Sequence, residues 1–265
     1  MKIYEILDDE NKISIGVLLY YEKQRAFIIE LQENLDEWSA PILMTSFVKK
    51  GIYTIPREIS FLWVQERVIP SGRQNIDDIL KRYKLKTYDE MKLLELSDGR
   101  CSQDNLYIRR IEELPEYVIA RKNKTVVECL VTEENTLLCF FADDTMRKID
   151  LSEHIQVDDV EKILANKELF QSAKVGVGGY SVVFNDSIDI PAAVFYEAGV
   201  KIQLKLSDFK SFVQKNVYDT TDSCNMLDCS RQNISYLVKQ KQLTPIKEEV
   251  KGNLYFKGDL INNQW

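Results

Sequence analysis

Thr220-Thr221-Asp222-Ser223-Cys224-Asn225-Met226-Leu227-Asp228-Cys229-Ser230-Arg231-Gln232-Asn233-Ile234-Ser235-Tyr236-Leu237-Val238-Lys239 is the stretch whose reading decides the fold. Its pattern predicts two short helices joined by a tight turn. Thr220 is a competent cap for the first helix, and Cys224 and Leu227 then share one face three residues apart. Asp228-Cys229 makes the turn, and Ser230 is a good N-cap for the second helix. Ile234, Leu237 and Val238 repeat at i, i+3, i+4 and give that helix one buried stripe. The opposite face carries Arg231, Gln232, Ser235, Tyr236 and Lys239, side chains able to reach base edges or phosphates.

Downstream, Gln242-Leu243-Thr244-Pro245-Ile246 leads into a predicted hairpin with its tip at Lys251-Gly252-Asn253 and its return strand at Leu254-Tyr255-Phe256. Asp259 then caps a closing helix that ends at Trp265. This order resembles the winged helix-turn-helix of excisionase and MerR-like DNA binders. The residues that carry the likeness are Cys224, Leu227, Cys229, Ser230-Arg231-Gln232, Ile234, Leu237, Leu243-Thr244-Pro245, Tyr255-Phe256 and Asp259-Leu260. The departure is at Gln240-Lys241, where that family places a glycine after the second helix. From Asp219 to Trp265 six basic residues face six acidic ones, so the segment lacks the basic footprint of a tight nonspecific binder. The rest of the chain carries the whole formal charge of -7.

At 265 residues, 45% hydrophobic and 29% charged, the chain has globular composition and room for two or three modules. Its opening, Met1 to Glu10, turns acidic at once with no signal-peptide core, and no apolar run approaches the ~20 residues of a membrane span. A cytoplasmic protein that engages no membrane is therefore expected. The cysteines (101, 129, 139, 224 and 229) are odd in number and scattered, which reads as buried thiols of a reducing compartment. Cys224 and Cys229 allow a redox-sensor reading, but both fall where a small core residue belongs. A single histidine, His154, removes multi-histidine metal sites and catalysis. No cofactor and no metal is called for.

The fold class read from the pattern is α+β in three modules: two small mixed domains, residues 1–116 and 125–205, followed by the winged helix-turn-helix at 207–265. In the first, Ile13–Tyr20 and Ala26–Leu31 flank the polar 22–25 as a hairpin. Residues 51–56 form a short strand. Ile76, Ile79, Leu80 and Tyr83 mark an amphipathic helix, and Thr87 to Glu90 a capping box for the next. This region resembles the N-terminal subdomain of HipA-family serine/threonine kinases through Gly16-Val17-Leu18, Trp38, Pro41-Ile42-Leu43, Val68-Ile69-Pro70, Arg73, Met91-Lys92-Leu93-Leu94 and Gly99-Arg100-Cys101. No kinase body follows. The resemblance implies a detached piece that docks on a HipA-like kinase encoded elsewhere, with Trp63 and Arg73 as candidate partner-binding residues. Trp38 and Trp63 are equally readable as core.

Leu114-Pro115-Glu116 and the charged 121–124 form a candidate linker. Beyond it, 126–130 and 136–141 read as strands, 146–151 follows a turn, and Val160, Ile163 and Leu164 mark a helix. Gly178-Gly179 turns a strand pair, and Ser207 caps a connecting helix. The order resembles a small bacterial domain of unknown function found beside helix-turn-helix segments, through Phe141-Ala142-Asp143-Asp144, Ile149-Asp150-Leu151, Leu169-Phe170, Phe184-Asn185-Asp186 and Phe195-Tyr196-Glu197. Val175 to Gly179 lacks the helix a nucleotide loop needs. Asp143, Asp144, Asp186 and Asp189 could be imagined as a cation site, but the reading preferred is turn aspartates bonding their own backbone.

The function expected is a DNA-binding, antitoxin-like autorepressor, a homodimer on a two-fold-related operator in double-stranded DNA. Arg231, Gln232, Ser235 and Tyr236 face the major groove, Lys239, Lys247 and Lys251 meet phosphate, and Ser230 and Asn253 complete the DNA-binding set. The alternative is an interaction protein that inhibits or scaffolds a partner kinase without touching DNA. An enzyme is not expected.

Overall fold

The structure, a computed structural model, describes residues 1–133, 135–250 and 252–256. It is α+β, with helices set against several antiparallel sheets. Two compact units share the chain: Met1–Asp143 with Ile149–Gly199, and Asp144–Lys148 with the chain from Val200 on.

The first unit opens with β1 (Lys2–Asp8), β2 (Ile13–Tyr21) and β3 (Ala26–Leu31). β1, within the stretch read only as an acidic opening, pairs with β2 through Tyr4 opposite Leu18. The predicted hairpin is β2 with β3, Leu19 facing Ile28. After α1 (Thr45–Lys49), β4 (Thr54–Ile55) joins β3. Next come α2 (Arg57–Gln65), α3 (Ile76–Arg82), α4 (Glu90–Leu96) and β5 (Leu106–Ile111), which pairs with β1. The sheet order is β4-β3-β2-β1-β5.

Both faces of this sheet are covered, which is why Val17 to Tyr20 is an unbroken apolar run instead of an alternating one. Tyr4, Leu18 and Ile29 face one core with Trp63 and Val64 of α2. Val17, Leu19 and Ile28 face a second core with Val118. Val118 belongs to α5 (Glu116–Lys122), so the stretch read as a linker is a packed helix. Pro115 supplies its N-cap position at φ -60, and the proline ring sets that angle in advance. α4 is capped by Asp89, whose carboxylate accepts from the Lys92 amide at 3.0 Å, where Thr87 had been expected to open a capping box. Either oxygen is chemically able, and the extended dihedrals of Asp89 decide it.

Further along lie β6 (Val126–Glu133), β7 (Thr136–Phe141) and β8 (Met146–Asp150), then α6 (Val160–Leu164) and α7 (Lys167–Gln171). β9 (Lys174–Val175), β10 (Ser181–Phe184), β11 (Ile188–Pro191) and α8 (Ala192–Ala198) follow. β6 pairs with β7, and β10 lies between β9 and β11. Leu137, Phe141, Val160, Ile163, Phe184 and Phe195 are fully buried in one core. Gly178 (φ 59) and Gly179 (φ 77) turn the chain between β9 and β10, the hairpin read from the sequence.

In the second unit β8 pairs with β12 (Val200–Ile202). Then come α9 (Leu206–Asn216), β13 (Val217–Tyr218), α10 (Thr220–Leu227), α11 (Arg231–Lys239), β14 (Lys247–Val250) and β15 (Gly252–Phe256). Ser207 does not cap α9: it lies inside the first turn, and its amide donates to the Asp144 carboxylate at 2.9 Å. β15 sits between β13 and β14; β14 and β15 pair as the predicted hairpin, Val250 opposite Gly252, and the return strand starts at Gly252, two residues earlier than read. The predicted closing helix after Asp259 lies outside the described residues.

Candidate nucleic-acid interface

α10 begins at Thr220, but its cap is Asp219, whose carboxylate accepts from the Asp222 amide at 2.8 Å. Thr220, expected as the cap, is the first helical residue. The helix ends at Asp228, left-handed at φ 47, and the Cys229 amide closes the turn on the Cys224 carbonyl at 3.0 Å. Aspartate tolerates that conformation better than most residues, so a turn of this tightness is within reach of the sequence. Ser230 caps α11 by accepting from the Asn233 amide at 3.3 Å, as read.

Ile234 and Leu237 pack inward with Leu243 and Tyr255, and Cys224, Leu227, Cys229 and Val238 close around them. Burial, followed by the neighbouring Cys229, pushes the Cys224 thiol above its ordinary value. That is the opposite of what a reactive sensor thiol needs.

The outer face of α11 is exposed at Arg231, Gln232, Ser235, Tyr236 and Lys239. Tyr236 stands 56% exposed, a large amphipathic ring left in water. Two of these groups are already held. The Arg231 guanidinium donates to the Thr221 hydroxyl at 3.1 Å, which ties it to α10. The Ser235 hydroxyl donates back to the Arg231 carbonyl at 3.1 Å and keeps only its lone pairs for a ligand. Ser230 has its oxygen engaged in the cap.

Lys247 is exposed on β14. Lys251 and the Asn253 side chain lie outside the described residues. The first unit holds the two residues read as partner-binding. Arg73 is exposed after Pro70, but Trp63 is 1% exposed, packed on the buried face of α2 with Ser60 and Val64. Trp63 is therefore core, and the exposed indole of this region is Trp38.

Two features escaped sequence reasoning. Lys241 takes the left-handed conformation, φ 58, at the position where the resembling family has glycine, and Gln242 then donates to the Leu237 carbonyl at 3.0 Å. The exit geometry is thus that of a glycine-ended helix, reached with a lysine. Thr221 as the anchor of Arg231 is the second, foreshadowed only by its place on the first turn of α10.

The four aspartates weighed as a cation site are spent elsewhere. Asp143 accepts from the Tyr196 hydroxyl at 2.7 Å, Asp144 serves Ser207, Asp186 pairs with Lys174 at 2.6 Å, and Asp189 with Arg57 at 2.8 Å. Asp189 sits in β11, not in a turn. Among the described residues no helix is long and apolar enough to cross a membrane. No family model, curated protein or solved structure matches this chain.

Proposed function

We propose that the chain is a DNA-binding regulator that reads a duplex operator with α11. The observation that carries this reading is the exposed polar face of that helix. Arg231, Gln232, Ser235, Tyr236 and Lys239 stand outward on a capped helix whose other face is sealed into a core. Nine residues make a rod of roughly 13 Å, a length that fits across a major groove about 12 Å wide. Arginine pairs bidentately with guanine and glutamine with adenine, so the two exposed N-terminal residues are the natural base readers. Lys239 and Lys247 meet phosphate, and β13, β15 and β14 supply the wing of a winged helix-turn-helix. A surface this close to neutral binds weakly alone, so the working unit is a homodimer on a two-fold-related site.

Fluorescence anisotropy of the intact protein on its own promoter DNA tests this, with random DNA and Arg231→Ala beside it. Specific binding that Arg231→Ala weakens by about 1–3 kcal/mol supports the reading. Binding no tighter than to random DNA defeats it.

The second reading, an assembly protein without an operator, is favoured by Glu248, which is exposed beside Lys247 on β14 and repels phosphate. Docking of a HipA-like kinase on residues 1–116, and with it the autorepressing antitoxin role, rests on the resemblance in that region. Co-purification with such a kinase encoded nearby is its test.

A further inference from the structure

The strongest feature outside the α11 surface lies in the first unit. Asp36 organises a turn there: its carboxylate accepts from the amides of Trp38 at 3.0 Å and Ser39 at 2.8 Å, and from the Ser39 hydroxyl at 2.7 Å. Pro41 then starts a short 3-10 turn, Ile42–Met44, with the Met44 amide on the Pro41 carbonyl at 2.8 Å. Underneath, Leu35, Ala40 and Met44 are anchored in the core. The same turn holds Trp38 and Ile42 outward, 88% and 90% exposed. Their exposure therefore belongs to a fixed turn, not to a fraying end. Two large apolar groups presented together from a rigid turn are the kind of anchor that partners bury.

Between this turn and α2 runs an open cavity of about 270 Å³, lined by Trp38, Ile42, Trp63, Glu66 and Arg67 among others. The Arg67 guanidinium lies 3.9 Å from the Trp63 ring and is neutralised by an ion pair with Asp104. That leaves the carboxylates of Asp8 and Glu66 as surplus negative charge on the lining. Glu66 is exposed and has no salt-bridge partner among the described residues.

We infer that this cleft binds a peptide segment carrying a lysine or arginine, its cation between the Trp38 ring and the Glu66 carboxylate and its apolar neighbours on Ile42. The charge surplus selects a cation, and an exposed indole face adds cation–π attraction. The volume admits one side chain with its backbone, at the small end of ligand pockets. A free small cation would leave Ile42 uncovered, so a peptide is the occupant that accounts for both exposed side chains. The inference is independent of the DNA reading, since every residue it uses lies in the first unit.

Calorimetry on the full chain tests it with a capped Gly-Leu-Arg-Leu-Gly peptide, its citrulline counterpart, which keeps the shape and loses the charge, and arginine amide alone. The arginine peptide is expected to bind. The citrulline peptide, Trp38→Ala and Glu66→Gln should each weaken binding by about tenfold. Arginine amide should be weaker again. Both cleft side chains are exposed, so circular dichroism should show both variants folded. Equal binding of the citrulline peptide, binding of arginine amide as tight as the peptide, unchanged binding in either variant, or no heat at millimolar peptide each overturns the inference.

Discussion

Arg121→Met removes the paired cation from a carboxylate that the fold has taken out of water. Glu30 on β3 is fully buried. Its Oε2 accepts from the Arg121 guanidinium and from the Thr54 hydroxyl, each at 2.8 Å, and the same guanidinium donates to the Leu31 carbonyl at 2.8 Å. Arg121 also lies 5.5 Å from the Tyr53 ring and 5.3 Å from the Tyr117 ring. Burial still outweighs these partners and holds the Glu30 carboxyl above its ordinary value. A buried charge stripped of its partner costs about 3–5 kcal/mol, far more than the near-zero net worth of the intact pair. Urea unfolding, followed by the fluorescence of buried Trp63, should show Arg121→Met losing that amount at neutral pH. Glu30→Gln/Arg121→Met should recover most of it.

The pH dependence has a definite sign. A raised folded-state value means that this carboxyl favours the fold most below its unfolded value, and that the contribution is lost as pH rises through the folded one. Removing the guanidinium moves the folded value further up, so the Arg121→Met penalty must widen as pH is raised across that window. A loss under about 1 kcal/mol, or one equal at acidic and neutral pH, would refute the buried pair and leave Arg121 a solvated surface charge.

Lys241→Gly should raise stability by about 1 kcal/mol, because Lys241 holds a left-handed angle that glycine adopts without strain; an unchanged urea midpoint would count against that helix end. Ser60→Ala should cost about 1–3 kcal/mol, since the buried Ser60 hydroxyl accepts from the Ile29 amide at 3.0 Å and donates to the Ile55 carbonyl at 3.2 Å. A neutral outcome in the same unfolding assay would mean that those backbone groups find other partners. Cys129 and Cys139 face each other across β6 and β7, and burial pushes Cys129 up to about 11 and Cys139 upward too. A disulfide-exchange reagent near pH 8 should therefore leave these two unmodified until the protein unfolds, while prompt modification of all five cysteines would contradict the burial.

The sequence was legible where one local rule decides. The i, i+3, i+4 stripe of Ile234, Leu237 and Val238 and the cap at Ser230 gave α11, and the polar break at 22–25 gave the β2–β3 hairpin. It was illegible where two rules compete. At Asp219-Thr220 and at Thr87 to Asp89 adjacent oxygens are all able to cap, and only backbone dihedrals choose. Pro115 with the charges after it looks like a linker, yet proline at a helix start with glutamate behind it is also a helix signal; Val118 and Arg121 settle it through long-range contacts. Ser60, Trp63 and Val64 repeat at i, i+3, i+4, so the burial of Trp63 was within reach of periodicity. The exposure of Trp38 was not, because it depends on the turn that Asp36 builds.

The even balance of basic and acidic residues from Asp219 to Trp265 bears on how α11 can work. Each phosphate contact lowers the logarithm of affinity by about 0.9 per decade of salt, and the candidate contacts are Lys239, Lys247 and Lys251. One copy on DNA should then show a slope of about -2.7, and a pair on a two-fold-related site about -5. Arg231 is a different kind of contact. Thr221 holds its guanidinium before any DNA arrives, so less side-chain freedom is lost on binding. Arg231→Ala should consequently depress operator binding while leaving most of the slope in place, and Lys247→Ala should flatten the slope and weaken operator and random DNA alike. A slope near -2.7 with full specificity would sink the dimer and leave a single α11 supplying all the discrimination. A slope near zero would remove DNA altogether and favour the assembly role that Glu248 supports.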